Sequence, residues 1–122
     1  MNANEFLASI LCLSAVYLRS WSFAVLDHHF TYAVRILEGH RLVGTAPYSV
    51  LIHPSYTGLV LASIGYIWFM GFRRLQFLGF VCFMIAATVM RIRDEEQVLA
   101  QHFGAEWDAH IKGKSRLIPH VW

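Results

Sequence analysis

The sequence predicts an all-α integral membrane protein with about three transmembrane helices, including a helical hairpin, and a cytosolic C-terminal helical extension. Three observations predict this fold class. The 122 residues are 57% apolar and have a mean hydropathy of +0.46, whereas an ordinary soluble domain is about half apolar. The apolar residues form three long segments, and the basic residues lie mostly on one side of them. A chain of this length is expected to form a single domain, residues 1–122.

The three apolar segments cover residues 6–26, 55–72 and 75–90 approximately. The first is preceded by Glu5 and followed by no small-residue cleavage site, so we do not interpret it as a signal peptide. At a rise of 1.5 Å per residue, the other two measure about 25 Å, slightly less than the hydrocarbon core of a bilayer. A soluble helical hairpin is the alternative, but little polar sequence remains to cover such helices.

The connection between the second and third segments is short and contains Gly71. Such a connection predicts that the two segments pack antiparallel. Small residues offer surfaces for close helix approach in lipid; they are Gly58, Gly65, Gly79, Ala86 and Ala87.

Basic residues are distributed unequally between the two sides of a three-span protein. Three spans place residues 27–54 on the same side as residues 91–122. That side carries Arg19, Arg35, Arg41, Arg91, Arg93, Lys112, Lys114 and Arg116, and the other side carries only Arg73 and Arg74. Because cytoplasmic loops are enriched in lysine and arginine, we expect both polar segments to face the cytosol and the N-terminus to lie outside.

The third helix is expected to continue beyond Met90 into water, because the helical period persists as far as residue 103. Gly104 is a plausible stop, and a second short amphipathic helix is expected at residues 105–111. We expect Trp107, Ile111 and the final residues 121–122 to lie in the headgroup layer.

Arg91 and Glu95 are four residues apart, so on a continuous helix they share one face just above the bilayer. An ordinary ion pair, contributing a few tenths of a kcal/mol, is one explanation. It explains less well why three acids, residues 94–96, follow an apolar helix directly. The alternative is a ligand site, in which a carboxylate binds an ammonium group and Arg91 binds a carboxylate.

His53 and Pro54 open the second segment. Proline suits the first helical position, and the free N–H groups of a helix N-terminus can bind an anion. His53 can also simply cap this end. Tyr48 and Tyr56 offer aromatic faces and hydroxyl donors, although single aromatic residues are more often interface anchors.

A metal site is a weaker hypothesis. His102, Glu106 and His110 repeat every four residues, but Gly104 interrupts the helix that would present them. We therefore expect no metal. Cys12 and Cys82 lie in apolar segments and are interpreted as small apolar residues.

Two ordered motifs resemble those of the isoprenylcysteine carboxyl methyltransferase family. The first is Gly39-His40-Arg41-Leu42-Val43, then Ala46-Pro47-Tyr48, then His53-Pro54-Ser55-Tyr56-Thr57-Gly58. The second runs from Arg91 to Leu99 and continues with His102-Phe103-Gly104-Ala105-Glu106-Trp107 and Arg116-Leu117-Ile118-Pro119. The likeness covers roughly residues 19–122.

The resemblance implies a membrane enzyme that binds S-adenosylmethionine in a pocket facing the cytosol. Such an enzyme would methylate a lipophilic acid such as a prenylated cysteine. Arg91 would hold the substrate carboxylate. The implied cofactor-binding residues are His40, Arg41, Leu42, Val43, Tyr48, His53, Pro54, Ser55, Tyr56 and Glu95. Expected partners are the lipophilic substrate and membrane lipid, with no nucleic acid. A homo-oligomer is one explanation for the single span ahead of the core.

Three residues depart from the family pattern, which usually reads Gly-Pro-Tyr-Arg and Arg-His-Pro. Ala46 replaces the glycine, and Ser49 and Ile52 replace the two arginines. The alternative function is therefore a catalytically degenerate membrane relative with a binding or structural role. If native activity is low, restoring arginine at Ile52 is expected to raise it.

Overall fold

The structure is a computed structural model that describes residues 1–26, 42–71 and 73–122. Within these residues it contains four helices and no sheet. The helices are α1 (Ala3–Leu26), α2 (Pro54–Phe69), α3 (Arg74–Phe103) and α4 (Ala105–Ile111). The all-α prediction is confirmed for the described part of the chain.

Helix α1 begins with a reciprocal cap between Asn2 and Glu5. The side-chain Oδ1 of Asn2 accepts the N–H of Glu5, and Oε2 of Glu5 accepts the N–H of Asn2, both at 2.9 Å. This capping box satisfies donors that the first turn of a helix leaves without intrahelical partners. The 24 residues of α1 are long and apolar enough to cross a membrane.

Helices α1 and α2 pack closely because glycines of α2 leave room for the backbone of α1. A Cβ placed on Gly58 would lie 2.8 Å from the carbonyl oxygen of Ala15, and one on Gly65 would lie 3.1 Å from that of Ala8. Ala8 and Ala15 are almost fully buried. Later residues of α2 thus contact earlier residues of α1, so the two helices are antiparallel.

Helices α2 and α3 form the expected antiparallel hairpin. Gly71, with φ of +68°, lies in the connection, and His53 beside the start of α2 contacts Glu96 in the second half of α3. However, α2 packs much more extensively on α1 than on α3. The glycines explain this difference in packing. Gly58 and Gly65 of α2 contact α1, whereas Gly79 of α3 has open space around its Cβ position.

Helix α3 runs through Met90 to Phe103, as the sequence predicts, and ends at Gly104, whose φ is +55°. Helix α4 follows over the predicted residues. The indole of Trp107 is only 4% exposed and stacks on the His110 ring at 5.7 Å. The Trp107 side chain therefore packs inside the protein, and its position in the headgroup layer stays a prediction.

Two of the described helices, α1 and α3, meet the length and hydropathy expected of membrane spans. Helix α2 is apolar but has only 16 residues. At 1.5 Å per residue it measures about 24 Å, which is shorter than a typical hydrocarbon core of about 30 Å.

Candidate functional site

The antiparallel arrangement collects polar side chains at one end of the helices. The end of α1, the start of α2 and the second half of α3 meet there, together with two irregular segments. We call residues 42–53 the connecting loop and residues 114–117 the C-terminal segment. Most of the polar side chains that the two motifs predict belong to this end.

Tyr48 fixes the connecting loop to α1. Its side chain is 7% exposed, and its hydroxyl donates a hydrogen bond to the carbonyl oxygen of Ser22 at 3.0 Å. Burial raises the pKa of Tyr48 above its ordinary value, and the nearby Glu95 carboxylate raises it further. The phenol therefore stays protonated and acts as a donor at neutral pH.

His53 lies between the connecting loop and α2, and it is almost fully buried. Its side chain makes no capping hydrogen bond to α2; instead Nε2 lies 2.9 Å from Oε1 of Glu96. The interpretation of His53 as a simple cap is therefore wrong. Pro54 occupies the first helical turn, as expected, and is buried.

Tyr56 connects Arg91 with Glu95. The Tyr56 hydroxyl donates to Oε2 of Glu95 at 2.7 Å and accepts a hydrogen bond from Nε of Arg91 at 3.3 Å. A residue of the first motif is thereby bonded to two residues of the second, which lie 35 and 39 positions away in sequence. The simple i,i+4 ion pair does not describe this three-residue arrangement.

Glu96 and Arg116 belong to the same site, although the sequence did not predict them as site residues. Nε of Arg116 lies 3.0 and 3.1 Å from the two carboxylate oxygens of Glu96. Burial raises the pKa of Glu96, but the hydrogen bonds from His53 and Arg116 outweigh burial and keep this pKa below its ordinary value. The available signals were the third acid of the run and the arginine of the second motif.

Of the five remaining predicted site residues, three lie elsewhere in the described part of the chain and two lie outside it. The carbonyl oxygen of Ser55 accepts a hydrogen bond from Nη1 of Arg19 at 2.9 Å. Leu42 and Val43 are half-buried in the connecting loop. His40 and Arg41 lie outside the described residues.

The metal hypothesis receives no support from the described residues. No group of three His, Cys, Asp or Glu side chains among them is arranged to hold a metal ion. Gly104 separates His102 on α3 from Glu106 and His110 on α4, so one continuous helix does not present the three side chains.

Apolar helices that end in a cluster of carboxylate, guanidinium and phenol groups define a membrane-type α-helical protein with a polar site. The model of the isoprenylcysteine carboxyl methyltransferase family matches residues 8–101. The chain belongs to this family, whose members are methyltransferases. No curated protein and no solved structure matches the chain.

Proposed function

We propose that the protein is an S-adenosylmethionine-dependent methyltransferase that works at a membrane surface. The proposed reaction is O-methylation of the carboxylate of a prenylated cysteine or a similar lipophilic acid. The observation that carries this proposal is the 2.7 Å hydrogen bond between Tyr56 and Glu95, because it joins the two family motifs in one polar site. Family membership supports the reaction class.

The chemistry of Glu95 fits the ammonium group of the methyl donor. The carboxylate is half-buried, and within the described residues Tyr56 donates its hydrogen bond to Oε2. Oε1 can accept a charge-assisted hydrogen bond from an ammonium, which is stronger than a neutral one. Tyr56 holds the carboxylate in a fixed direction, so the donor would meet an oriented acceptor.

The proposed role of Arg91 is to hold the substrate carboxylate. A guanidinium can bind a carboxylate with two parallel hydrogen bonds. Its bond to the Tyr56 hydroxyl places this positive charge beside Glu95. Substrate carboxylate and donor ammonium would therefore bind next to each other.

When bound, S-adenosylmethionine supplies a methyl group on a sulfonium for attack by the substrate carboxylate. A carboxylate is already ionised at neutral pH, so the protein does not need a strong general base. The residues contribute by orienting the two reactants and by excluding water around their charges. Tyr48 is buried at this end of the protein, and its one hydroxyl proton is used to hold the connecting loop on α1 through the carbonyl oxygen of Ser22.

We infer a multi-pass arrangement in which α1, α2 and α3 all cross the membrane. Exposed aromatic residues at both ends of the helices support it, with Tyr17 and Trp21 near the end of α1 and Tyr66 and Trp68 near the end of α2. Because these helices are antiparallel, the two pairs lie at opposite ends, where membrane interfaces favour such side chains. The excess of basic residues supports a site that faces the cytosol, in contact with membrane lipid.

The test is donor binding to the purified full chain in detergent, measured by titration calorimetry. Glu95→Gln should weaken binding about 10-fold or more, since a hydrogen bond to a charged group contributes about 1.5–3 kcal/mol. Asp94→Asn is the matched control, because Asp94 is the preceding acid and its side chain is exposed. Unchanged affinity in Glu95→Gln, or no binding by the native protein, would contradict the proposal.

A catalytically degenerate relative is the second candidate. The observation that favours it is Ile52, which stands where the family usually has arginine and has only 7% of its surface exposed. An apolar side chain packed at this position cannot contact a charged ligand as arginine does. Donor binding without methyl transfer to a panel of prenylcysteine and phospholipid acceptors would favour this candidate.

A further inference from the structure

We propose that Glu96 is a positioning residue that clamps the C-terminal segment onto the connecting loop, and that this segment forms one wall of the donor site. The second part rests on the proposed function, whereas the clamp does not. The range matched by the family model ends at residue 101, before the C-terminal segment begins.

Glu96 is bonded on two sides at once. Its carboxylate contacts His53 at 2.9 Å and Arg116 at 3.0 Å, and its side chain is only 14% exposed. The His53 side chain is only 3% exposed. Hydrogen bonds to an ionised carboxylate are shorter and stronger than neutral ones. Glu96 therefore connects α3 with the start of α2 and with the C-terminal segment.

Backbone hydrogen bonds continue the same contact. The N–H of Ile52 donates to the carbonyl oxygen of Ser115 at 2.8 Å, and the N–H of His53 donates to that of Arg116 at 3.1 Å. Ser115 donates in return to the carbonyl oxygen of Val50 at 3.2 Å. The C-terminal segment thus lies alongside the residues that lead into α2. Two independent sets of hydrogen bonds hold it there, one from the backbone and one from the Glu96 side chain.

The other end of the C-terminal segment reaches the part of the connecting loop that the family resemblance assigns to the cofactor. Nζ of Lys114 lies 3.9 Å from the position that a Cβ would take on Gly44. Gly44 directly follows Leu42 and Val43. The segment therefore contacts the connecting loop near both of its ends and places a cation beside it.

The neighbouring acids Glu95 and Glu96 contact different partners. Successive residues of an α-helix point about 100° apart, and here Glu95 bonds to Tyr56 while Glu96 bonds to His53 and Arg116. Glu95 is the residue proposed to contact the donor. Glu96 would shape the donor site without touching the donor.

Hydrogen–deuterium exchange of the donor-free full chain tests the clamp. The reporting amides are those of Ile52, His53 and Ser115, and interior amides of α2 serve as the reference. Glu96→Gln should speed exchange of the reporting amides about 10-fold or more, the lower bound for losing a charged hydrogen bond, and leave α2 unchanged. Asp94→Asn should match the native protein.

Equal exchange of the reporting amides in Glu96→Gln and the native protein would overturn the clamp. If Glu96→Gln also speeds exchange within α2, Arg116→Gln decides, because it breaks the same contact and leaves His53 intact. Faster exchange limited to the reporting amides in Arg116→Gln supports the clamp, and native exchange rates overturn it.

Donor affinity tests whether the C-terminal segment forms one wall of the donor site. Glu96→Gln and Arg116→Gln should each weaken donor binding several-fold. The double variant should bind the donor no more weakly than the weaker-binding single variant, because both single changes break the contact between Glu96 and Arg116. Unchanged donor affinity together with faster amide exchange would show that Glu96 clamps the C-terminal segment but that this segment does not form a wall of the donor site. Absence of donor binding by the native protein would reject the proposed function, whereas the exchange result would still decide the clamp.

Discussion

The close contact between α1 and α2 makes a sharp prediction about Gly58. In Gly58→Ala, the new Cβ would lie 2.8 Å from the carbonyl oxygen of Ala15 and 3.0 Å from the backbone nitrogen of Arg19. Both are backbone atoms, so α1 as a whole must shift. Overpacking of this kind typically costs about 1–3 kcal/mol, from which the higher helix propensity of alanine recovers about 0.5–1 kcal/mol.

We therefore expect Gly58→Ala to lower the free energy of unfolding by about 1 kcal/mol, within a range of about 0–2.5 kcal/mol. The shift should also weaken the site, because the Tyr48 hydroxyl bonds to Ser22 and the Arg19 guanidinium bonds to Ser55 across the same contact. The assay is unfolding of the purified protein in mixed micelles with increasing sodium dodecyl sulfate.

Gly79→Ala is the matched control, since no heavy atom from outside its own stretch of helix lies within 4 Å of its Cβ position. It should be neutral or slightly stabilising. A Gly58→Ala variant as stable as Gly79→Ala would refute the close packing of α1 on α2.

Three further predictions concern the site. Arg91→Ala should leave donor affinity nearly unchanged and greatly reduce methyl transfer to a carboxylate acceptor; equal losses of both would contradict its role in holding substrate. Ile52→Arg should lower stability and produce no gain in activity, because burying an unpaired charge is costly and Ile52 is only 7% exposed; increased turnover would contradict this. The pKa of Glu96 in the folded protein lies below the ordinary value of 4.5, so its stabilising contribution is present above that pH and is lost as the pH falls through the folded pKa. Thermal unfolding across this range should show a loss that is smaller in Glu96→Gln, and identical pH profiles would contradict the prediction.

The prediction for Ile52 reverses the expectation from sequence. The family pattern alone suggested that an arginine here would restore activity. Burial reverses the expected effect of Ile52→Arg on activity, because the side chain packs inside the protein and the N–H is already bonded to Ser115. A pattern identifies a missing charge, but only the fold shows whether a charge fits.

Local signals predicted the helices well. The apolar segments, the stop at Gly104 and the short helix after it were readable because period and glycine position act within a few residues. The turn at Gly71 likewise predicted the antiparallel α2–α3 hairpin.

Contacts between distant residues were not readable in the same way. The bond between His53 and Glu96 spans 43 positions, and the bond between Thr57 and the carbonyl of Leu117 spans 60. Nothing in local period or composition specifies such partners. The sequence accordingly proposed His53 as a possible cap and did not identify Arg116 as a site residue. The motif resemblance did select Tyr56, Arg91 and Glu95, which the structure brings together.

The most direct test of the account is whether the two motifs meet on one face of the membrane. Single cysteines at three exposed positions, Ser49→Cys, Arg73→Cys and Asp94→Cys, would be introduced after replacing Cys12 and Cys82 with alanine. A membrane-impermeant maleimide applied to sealed, oriented vesicles should label positions 49 and 94 from the same side and position 73 from the other. Labelling of positions 49 and 94 from opposite sides would contradict the account.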